Sequence, residues 1–480
     1  MNTCSPRSAA KTSSNIGPFT REETGSVAIL FGLMSIALLM IIGLSVDMAR
    51  WLSARSTTIA AVDAAVLAGA RHLQVNGRDA DAATLAAQTY YEANVANRAP
   101  LNKDTITFKV VDAGTAITAE GTAILDTTFI KIAGIKTLPL LKLSGSEHSK
   151  AVLAVNGNAE FSIEVSLMLD VTETMCSGSA SSCATGEKID ALKEAAKDLI
   201  NVVVWDSQGA HTSRVAIVPF SEAVNIGTLD TSIVLPGPVS KKLRNAEGSN
   251  VRWYKAPACV AERFGPNAFN DAAPAFTDRL TPVYTKDGQC RPGSDNAVLP
   301  LTSDKSVLNN KIDGLKAYGL SGGHIGTAWA WYLLSPEWGN VLPAHGRPLS
   351  YALMSQRSSS GRPLLQKVAI LMTDGGYNNQ HCDTGQADRS STAALASKGG
   401  CESANSRSED QAQRLCAAMK SSGVTIYTVG FQLQSGGSPQ ETLALCATSR
   451  DHMFVADTAS ELKQSFRNIA LKISAIHLTN

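Results

Sequence analysis

A run of twenty uncharged residues at 27–46, VAILFGLMSIALLMIIGLSV, constrains this chain more than any other feature. As a helix rising about 1.5 Å per residue, it would cross a hydrocarbon core of roughly 30 Å. A cleaved secretory signal usually carries an apolar region of only about 7–15 residues and a small-residue cleavage site. This run is longer and continues into helix-forming sequence, so an uncleaved anchor is expected, with a processing cut near Gly25 as the alternative. Arg7, Lys11 and Arg21 precede it and Arg50 and Arg55 follow it, which gives only a weak charge bias to its orientation. Cysteine usage says more. Cys4 precedes the run, whereas Cys176, Cys183, Cys259, Cys290, Cys382, Cys401, Cys416 and Cys446 follow it. An even set on one side suits an oxidising compartment, with Cys4 left reduced in the cytoplasm. Sequence neighbours (176–183, 259–290, 382–401, 416–446) are the expected pairs; the alternative is eight buried free thiols.

The chain has 480 residues, enough for two or three domains. Its 43 basic and 42 acidic side chains nearly cancel, which argues against a nucleic-acid partner, since phosphate binding needs a basic excess. Residues 1–25 read as a polar cytoplasmic tail, 26–49 as the transmembrane helix, and 50–100 as an alanine-rich helical segment. Within 51–73, Ala61, Ala65 and Gly69 form one row of small residues, and Ala60, Ala64 and Ala68 form another. Such spacing lets helix backbones approach closely, either in self-association of this helix or in packing on its own domain. From 101 to 159 the apolar period changes to two, as in ITFKVV and AITAEGTAIL, which marks a small β-rich module.

From residue 160 onward, apolar strands alternate with helices. FSIEVSLMLD and KVAILMTD are near-continuous apolar strands that each end in an aspartate. The pattern predicts an α/β fold with a mostly parallel, doubly wound sheet covered on both faces, preceded by one transmembrane helix and a small α+β module. Ligands in such folds bind beyond the carboxyl ends of the strands, so Asp170 and Asp374 should share one edge. Residues 222–300 interrupt the pattern with eight of the 18 prolines, and read as a long, irregular excursion of the kind that is often functional.

At the first strand end, Asp170-Val171-Thr172-Glu173-Thr174 can converge three side-chain oxygens on one point. Hard cations want a carboxylate plus neutral oxygens, with water or a partner completing about six ligands. Asp170 alone could instead serve as a helix N-cap. DVTET, together with MTDG at a later strand end, resembles the metal-ion-dependent adhesion site of von Willebrand factor A domains, whose usual pattern is Asp-x-Ser-x-Ser, a distant Thr and a distant Asp. The resemblance implies that Asp170, Thr172 and Thr174 hold a divalent cation directly or through water, with Asp374 acting through water. Mg2+ is the first choice, and Mn2+ or Ca2+ the alternatives. The segment GLSGGHIGTAWAWYLLSPEW is similar to one in the A domains attached to Tad-type (Flp) pilus proteins; Ser321 stands there at the position of the loop Thr, with Thr327 as the fallback. His324 could touch the site but is expected to be a hydrogen-bonded structural histidine, and Trp329, Trp331 and Tyr332 are expected in the core.

GSVAILFGLMSIALLMIIGLSVDMARW and the following AAVDAAVLAGA are similar to the N-terminal segment of TadE/TadG-like pilus-assembly proteins. The two resemblances together imply a TadG-like protein of Tad/Flp pilus assembly. It would be a single-pass protein of the bacterial inner membrane with its C-terminal domain periplasmic, binding a carboxylate of an envelope or pilus-assembly partner through the metal. A metal-independent A-domain spacer is the structural alternative. A metal-dependent phosphohydrolase of the haloacid dehalogenase type is the enzymatic one. It would use Asp170 as nucleophile and an acid two residues on, where Thr172 stands, so no enzyme is expected.

Overall fold

The computed structural model describes residues 25–75, 79–96, 98–111, 116–143, 150–152, 160–176, 183, 186–245, 247–287, 294–358, 361–388, 401–433, 436–474 and 477–479. Cys4, the polar tail up to residue 24 and Cys290 lie outside them. A single helix, α1 (Gly25–Val75), runs for 51 residues, about 75 Å, so it crosses position 49/50 without a break. No proline or glycine pair interrupts it. Its apolar part contains an 18-residue window with mean hydropathy 2.2, apolar and long enough to cross a membrane. Only 12% of that window is buried inside the protein, unlike a core helix.

Beyond the apolar run the same helix becomes part of a folded module. α2 (Ala80–Val95) starts at Asp79, whose side chain accepts from the Ala82 N–H at 3.0 Å, and packs back along α1. The row Ala61, Ala65 and Gly69 faces this contact. A Cβ on Gly69 would sit 3.0 Å from the Ala83 carbonyl oxygen and from Ala87 Cβ, so the small residues bring the two helices together within one chain. Ala60 is exposed, and Ala64 and Ala68 are half-buried. The strands β1 (Lys103–Asp104), β2 (Thr107–Val111), β4 (Thr137–Leu143) and β5 (Lys150–Val152) all pair antiparallel with β3 (Ala116–Asp126). Phe108, Ile117 and Ala119 share a core with Val62, Val66, Ala70 and Leu73 of α1.

The larger domain is built on β6 (Ser162–Asp170), whose nine residues are all buried. It is flanked by β7 (Ser213–Phe220) and, further along the chain, by β13 (Leu365–Thr373), both parallel to it. β14 (Thr425–Phe431) and β15 (Met453–Ala456) extend the sheet in parallel, and β12 (Leu299–Thr302) closes the other edge antiparallel to β7. Ile163, Val165, Leu167 and Leu169 face a core made with α3 (Lys188–Val203) and α8 (Ala459–Ser474). Met168 faces the opposite core with α5 (Gly323–Tyr332) and α6 (Ser408–Ser421). Strand alternation thus sends successive side chains into two different apolar layers, which is why the strand reads as continuously hydrophobic. Trp329 and Tyr332 are fully buried and cluster with Trp338, the Tyr332 and Trp338 rings stacking at 4.2 Å. α4 (Lys305–Asp313) packs beside α3, and α7 (Ser438–Cys446) is joined to α6 by the Cys416–Cys446 disulfide. Cys176–Cys183 and Cys382–Cys401 are also bonded, and Cys259 is in a disulfide.

The excursion at 222–300 is not irregular throughout. It builds an antiparallel sheet in which β10 (Asn250–Val260) pairs with β8 (Val224–Asn225), β9 (Ser240–Arg244) and β11 (Pro282–Thr285). Its inward residues, among them Trp253, Ala256 and Val260, are separated by exposed ones. Burial along β10 does not follow a period of two, and its register with β11 shifts between Lys255 and Val260, so the strand leaves no regular alternation to read. A last short strand, β16 (His477–Thr479), pairs with β5, tying the end of the described chain to the N-terminal module.

Candidate functional site

Asp170 and Asp374 stand at the ends of neighbouring parallel strands, and the chain reversal after each strand turns its polar side chains inward. Asp170 is completely buried. Its Oδ1 accepts from the Thr172 N–H at 2.9 Å and the Thr172 hydroxyl at 2.6 Å. Its Oδ2 accepts from the Thr373 hydroxyl at 2.7 Å. Thr172 Oγ1 lies 2.9 Å from Thr174 Oγ1, which donates to Asp374 Oδ1 at 2.8 Å. Four of the expected residues therefore form one continuous chain of oxygens. Asp170 is no helix cap: the turn that follows begins at Thr172.

The third loop reaches the same place. The Glu173 N–H donates to the Gly319 carbonyl at 2.9 Å, with Gly319 at φ +80, a conformation that favours glycine. Ser321 then lines a cavity of about 100 Å³ together with Thr172, Thr174, Asp374 and Asn378. The N–H groups of Asn378 and Asn379 donate to the Ser321 carbonyl at 2.8 and 3.0 Å, holding the loop in place. Ser321 Oγ is buried and has no hydrogen-bond partner among the described residues. Gly323 lets α5 begin directly behind this loop, because any Cβ there would stand 2.0 Å from the Tyr377 ring. Thr327 is not brought to the cavity; its hydroxyl turns back along α5 and donates to the Gly323 carbonyl at 2.9 Å. His324 is also elsewhere, with Nε2 3.4 Å from Glu262 Oε1.

The electrostatics ask for positive charge. Burial first, and the Asp374 carboxylate second, push the Asp170 carboxyl up to about 7. One cation is already at hand: Lys188 Nζ, at the start of α3, lies 2.8 Å from Asp374 Oδ2. Lys188 and Thr373 were not identified from the sequence. Thr373 stands inside the MTDG motif, directly before Asp374, whereas nothing in the sequence near Lys188 marks it. Among the described residues no group of three or more His, Cys, Asp or Glu side chains is disposed to hold a metal ion. A cation here would depend on hydroxyl oxygens beside two carboxylates. The donor set fits an oxygen-seeking divalent cation, and the unpartnered Ser321 Oγ is a buried oxygen that such an ion could use.

Residues 25–72 match the family described as "Flp pilus-assembly TadE/G-like". A comparison with curated proteins finds no match. Among solved structures, the von Willebrand domain of the type V pili tip protein Mfa5 from Porphyromonas gingivalis is similar at 13% identity and a TM-score of 0.34, over 65% of this chain and 95% of that one. The pilus adhesin SpaC from Lactobacillus rhamnosus GG is similar at 12% identity and a TM-score of 0.35, over 77% of this chain but only 34% of its own length. Proximal thread matrix protein 1 of the mussel byssus, in a structure with a zinc-occupied MIDAS motif, is similar at 12% identity and a TM-score of 0.31, over 69% of this chain and 50% of that one. The segment that matches the family is nearly all of α1, including residues such as Val62, Val66 and Ala70 that it gives to the core of the N-terminal module. Over residues 25–72 the chain is thus similar to Flp pilus-assembly TadE/G-like proteins, and behind this membrane-length helix it carries a mixed α/β domain with two strand-end aspartates.

Proposed function

We propose that this is a membrane-anchored protein-binding component of Tad/Flp pilus assembly or adhesion, whose α/β domain is a doubly wound von Willebrand A-type domain that engages its partner through a divalent cation. The observation that carries the reading is the chain of oxygens from the buried Asp170 through Thr172 and Thr174 to Asp374, the last three lining one cavity with Ser321, whose hydroxyl has no partner among the described residues. Asp170, Thr172, Thr174 and Ser321 would hold the ion, Mg2+ before Mn2+ or Ca2+, with Asp374 acting through water. When bound, the ion would supply an open coordination position for a partner carboxylate. The protein's own residues set the frame. Thr373 and the Thr172 N–H orient Asp170, and Asn378 and Asn379 hold the Ser321 loop by its carbonyl. Glu173 and Thr174 are exposed, so the cavity meets solvent where a partner could approach.

The proposed organisation is a cytoplasmic tail at 1–25, an inner-membrane span at 26–49, the helical and β-rich segments at 50–100 and 101–159, and a periplasmic domain at 160–480. Three disulfides among the described residues, all beyond the span, support an oxidising compartment on that side. The partners would be envelope or pilus-assembly proteins, and the protein would not be an enzyme. A phosphohydrolase would need an acid where Thr172 stands, and Thr172 is tied to Asp170 as a donor. The Lys188–Asp374 ion pair favours one second reading, a cation-independent spacer domain in which the ammonium takes the role of the metal.

Thermal unfolding of the full chain in detergent, with Mg2+, Mn2+, Ca2+ or EDTA, separates the two. An ion bound only by the native state at a hundredfold excess over Kd raises stability by about 2.7 kcal/mol. We expect that rise, and expect Asp170→Ala to abolish it. No shift with any of the three ions would leave the spacer.

A further inference from the structure

Asp47 directly follows the apolar run of α1, yet it is only 2% exposed. Its carboxylate accepts from three successive backbone N–H groups some eighty residues away: Thr128 at 2.9 Å, Phe129 at 2.7 Å and Ile130 at 2.8 Å. Arg50 completes the clasp, pairing with Asp47 at 3.5 Å and donating to the Thr128 hydroxyl. These are charge-assisted bonds to a helical turn, Ile130–Ala133, whose own N-cap residue supplies no side-chain acceptor. One turn before Asp47 on the same helix face stands Gly43. A Cβ on Gly43 would lie 2.7 Å from Phe129 Cβ, so the bare backbone admits Phe129 against the helix. Gly43 is inside the apolar run, three residues from its end, or about 4.5 Å deeper along the axis.

The segment 127–136 is a closed loop. The Thr127 N–H donates to the Lys136 carbonyl at 3.0 Å, and the Thr127 hydroxyl to the Ile135 carbonyl at 2.6 Å. At its far side Gly134, at φ +88, donates to the Lys131 carbonyl at 3.1 Å. The loop presents Phe129, Ile132 and Ile135 at 45, 80 and 49% exposure, with exposed Lys131 and Lys136 beside them. The rest of the module contacts α1 further from the apolar run. Trp51 Nε1 donates to the Pro139 carbonyl at 2.8 Å, Ala54 packs with Leu125 and Leu140, and residues 61–73 meet α2. The loop is therefore the end of the module nearest the span.

From this we infer that the loop 127–136 is a second membrane contact: Phe129, Ile132 and Ile135 enter the interfacial layer of the same bilayer that α1 crosses, with Lys131 and Lys136 at the level of anionic headgroups. The occupant is lipid because the apolar tip is continuous with the apolar surface of α1, and because lysines flanking an apolar surface are the pattern of interfacial segments. A rigid clasp between span and loop would set the module's height and tilt on the membrane, which a single helix does not determine by itself. The inference rests on the reading that α1 spans a bilayer.

The test uses the full chain in a Cys4→Ser background, with one new cysteine at Ile132, at Lys109 on the exposed face of β2, or at Leu39 within the span. Each is labelled with an environment-sensitive fluorophore and reconstituted into phosphatidylcholine/phosphatidylglycerol vesicles. Shallow and deep spin-labelled lipids and aqueous iodide serve as quenchers. We expect the Ile132 label to be quenched at least twofold more by the shallow lipid quencher than by iodide, Lys109 to respond to iodide only, and Leu39 to respond to the deep quencher. Asp47→Ala should bring the Ile132 label down to the Lys109 response and leave Leu39 unchanged. An Ile132 label that behaves like Lys109, with Leu39 still lipid-quenched, overturns the inference alone. So does shielding of Ile132 from both quenchers that rises with protein density, which would mark a protein interface. A Leu39 label without lipid quenching overturns the spanning reading itself.

Discussion

Glu262 is buried between two histidines, with Oε1 3.4 Å from His324 Nε2 and Oε2 3.0 Å from His381 Nδ1, and it also accepts the His381 N–H at 2.6 Å. Burial alone would push its carboxyl up, but His324 and His381 outweigh that and hold it well below the ordinary glutamate range. A carboxyl depressed in the native state contributes stability above its unfolded value, about 4.3, and loses it as pH falls toward the native value. Wild type should therefore melt above Glu262→Gln near neutrality, with the gap narrowing progressively as pH falls below about 5. A gap independent of pH would mean that the carboxyl titrates alike in the native and unfolded states. Lys188 makes the second prediction at this scale. Its ammonium occupies Asp374 Oδ2, so an incoming cation must compete with it. Lys188→Met should raise the apparent affinity for Mg2+ or Mn2+ by roughly tenfold, the equivalent of about 1.4 kcal/mol, in a titration followed by melting temperature. Unchanged affinity would place the ion away from Asp374.

At the scale of elements, α1 does two jobs with one unbroken backbone. Its first half has the composition of a membrane span, and its second half supplies Ala61, Val62, Ala65, Val66, Ala70 and Leu73 to the core of the N-terminal module. Cutting the chain at the end of the apolar run and cutting it after α1 should thus differ sharply. A chain beginning at Asp47 keeps that core. One beginning at residue 76 leaves Phe108, Ile117 and Ala119 facing water. Hydrogen exchange should show β2, β3 and β4 protected in the first and fast-exchanging in the second, with β6 and β13 protected in both. Protected β2–β4 in the shorter chain would show that the module does not need α1. The small-residue row read in two ways from sequence packs within the chain along Ala61, Ala65 and Gly69.

Across the whole molecule, the excursion at 222–300 and the site are joined through one segment. Asn378 and Asn379 hold the Ser321 carbonyl, while Asn379 Nδ2 donates to the Glu222 carbonyl at 2.9 Å and His381 is bound to Glu262. The Tyr284 N–H of β11 donates to the Gly385 carbonyl at 2.7 Å. Among the described residues none of 222–300 lines the cavity itself. The excursion buttresses the Ser321 loop from behind, so a change there can reach the cavity through loop position. At the other end of the molecule, β16 returns to β5 and the Asp47 clasp fixes the module on α1.

Local chemistry was enough to read the long apolar helix, the alternation of strands and helices, and the placing of Asp170 and Asp374 on one sheet edge. Continuous apolar strands can be buried only between two layers, and parallel strands end on the same side. DVTET was legible because its oxygens are neighbours in the chain. Ser321 could be proposed only through a resemblance, and its lack of a partner depends on how three loops dock. β10 was not legible, because its buried residues, Trp253, Ala256, Cys259 and Val260, depart from a period of two where its register shifts. Lys188 on Asp374, Glu262 between His324 and His381, and Asp47 beneath the 128–130 turn had no signal in sequence. Each joins groups tens to almost two hundred positions apart, and such contacts arise from how elements pack, which local periodicity and spacing do not encode.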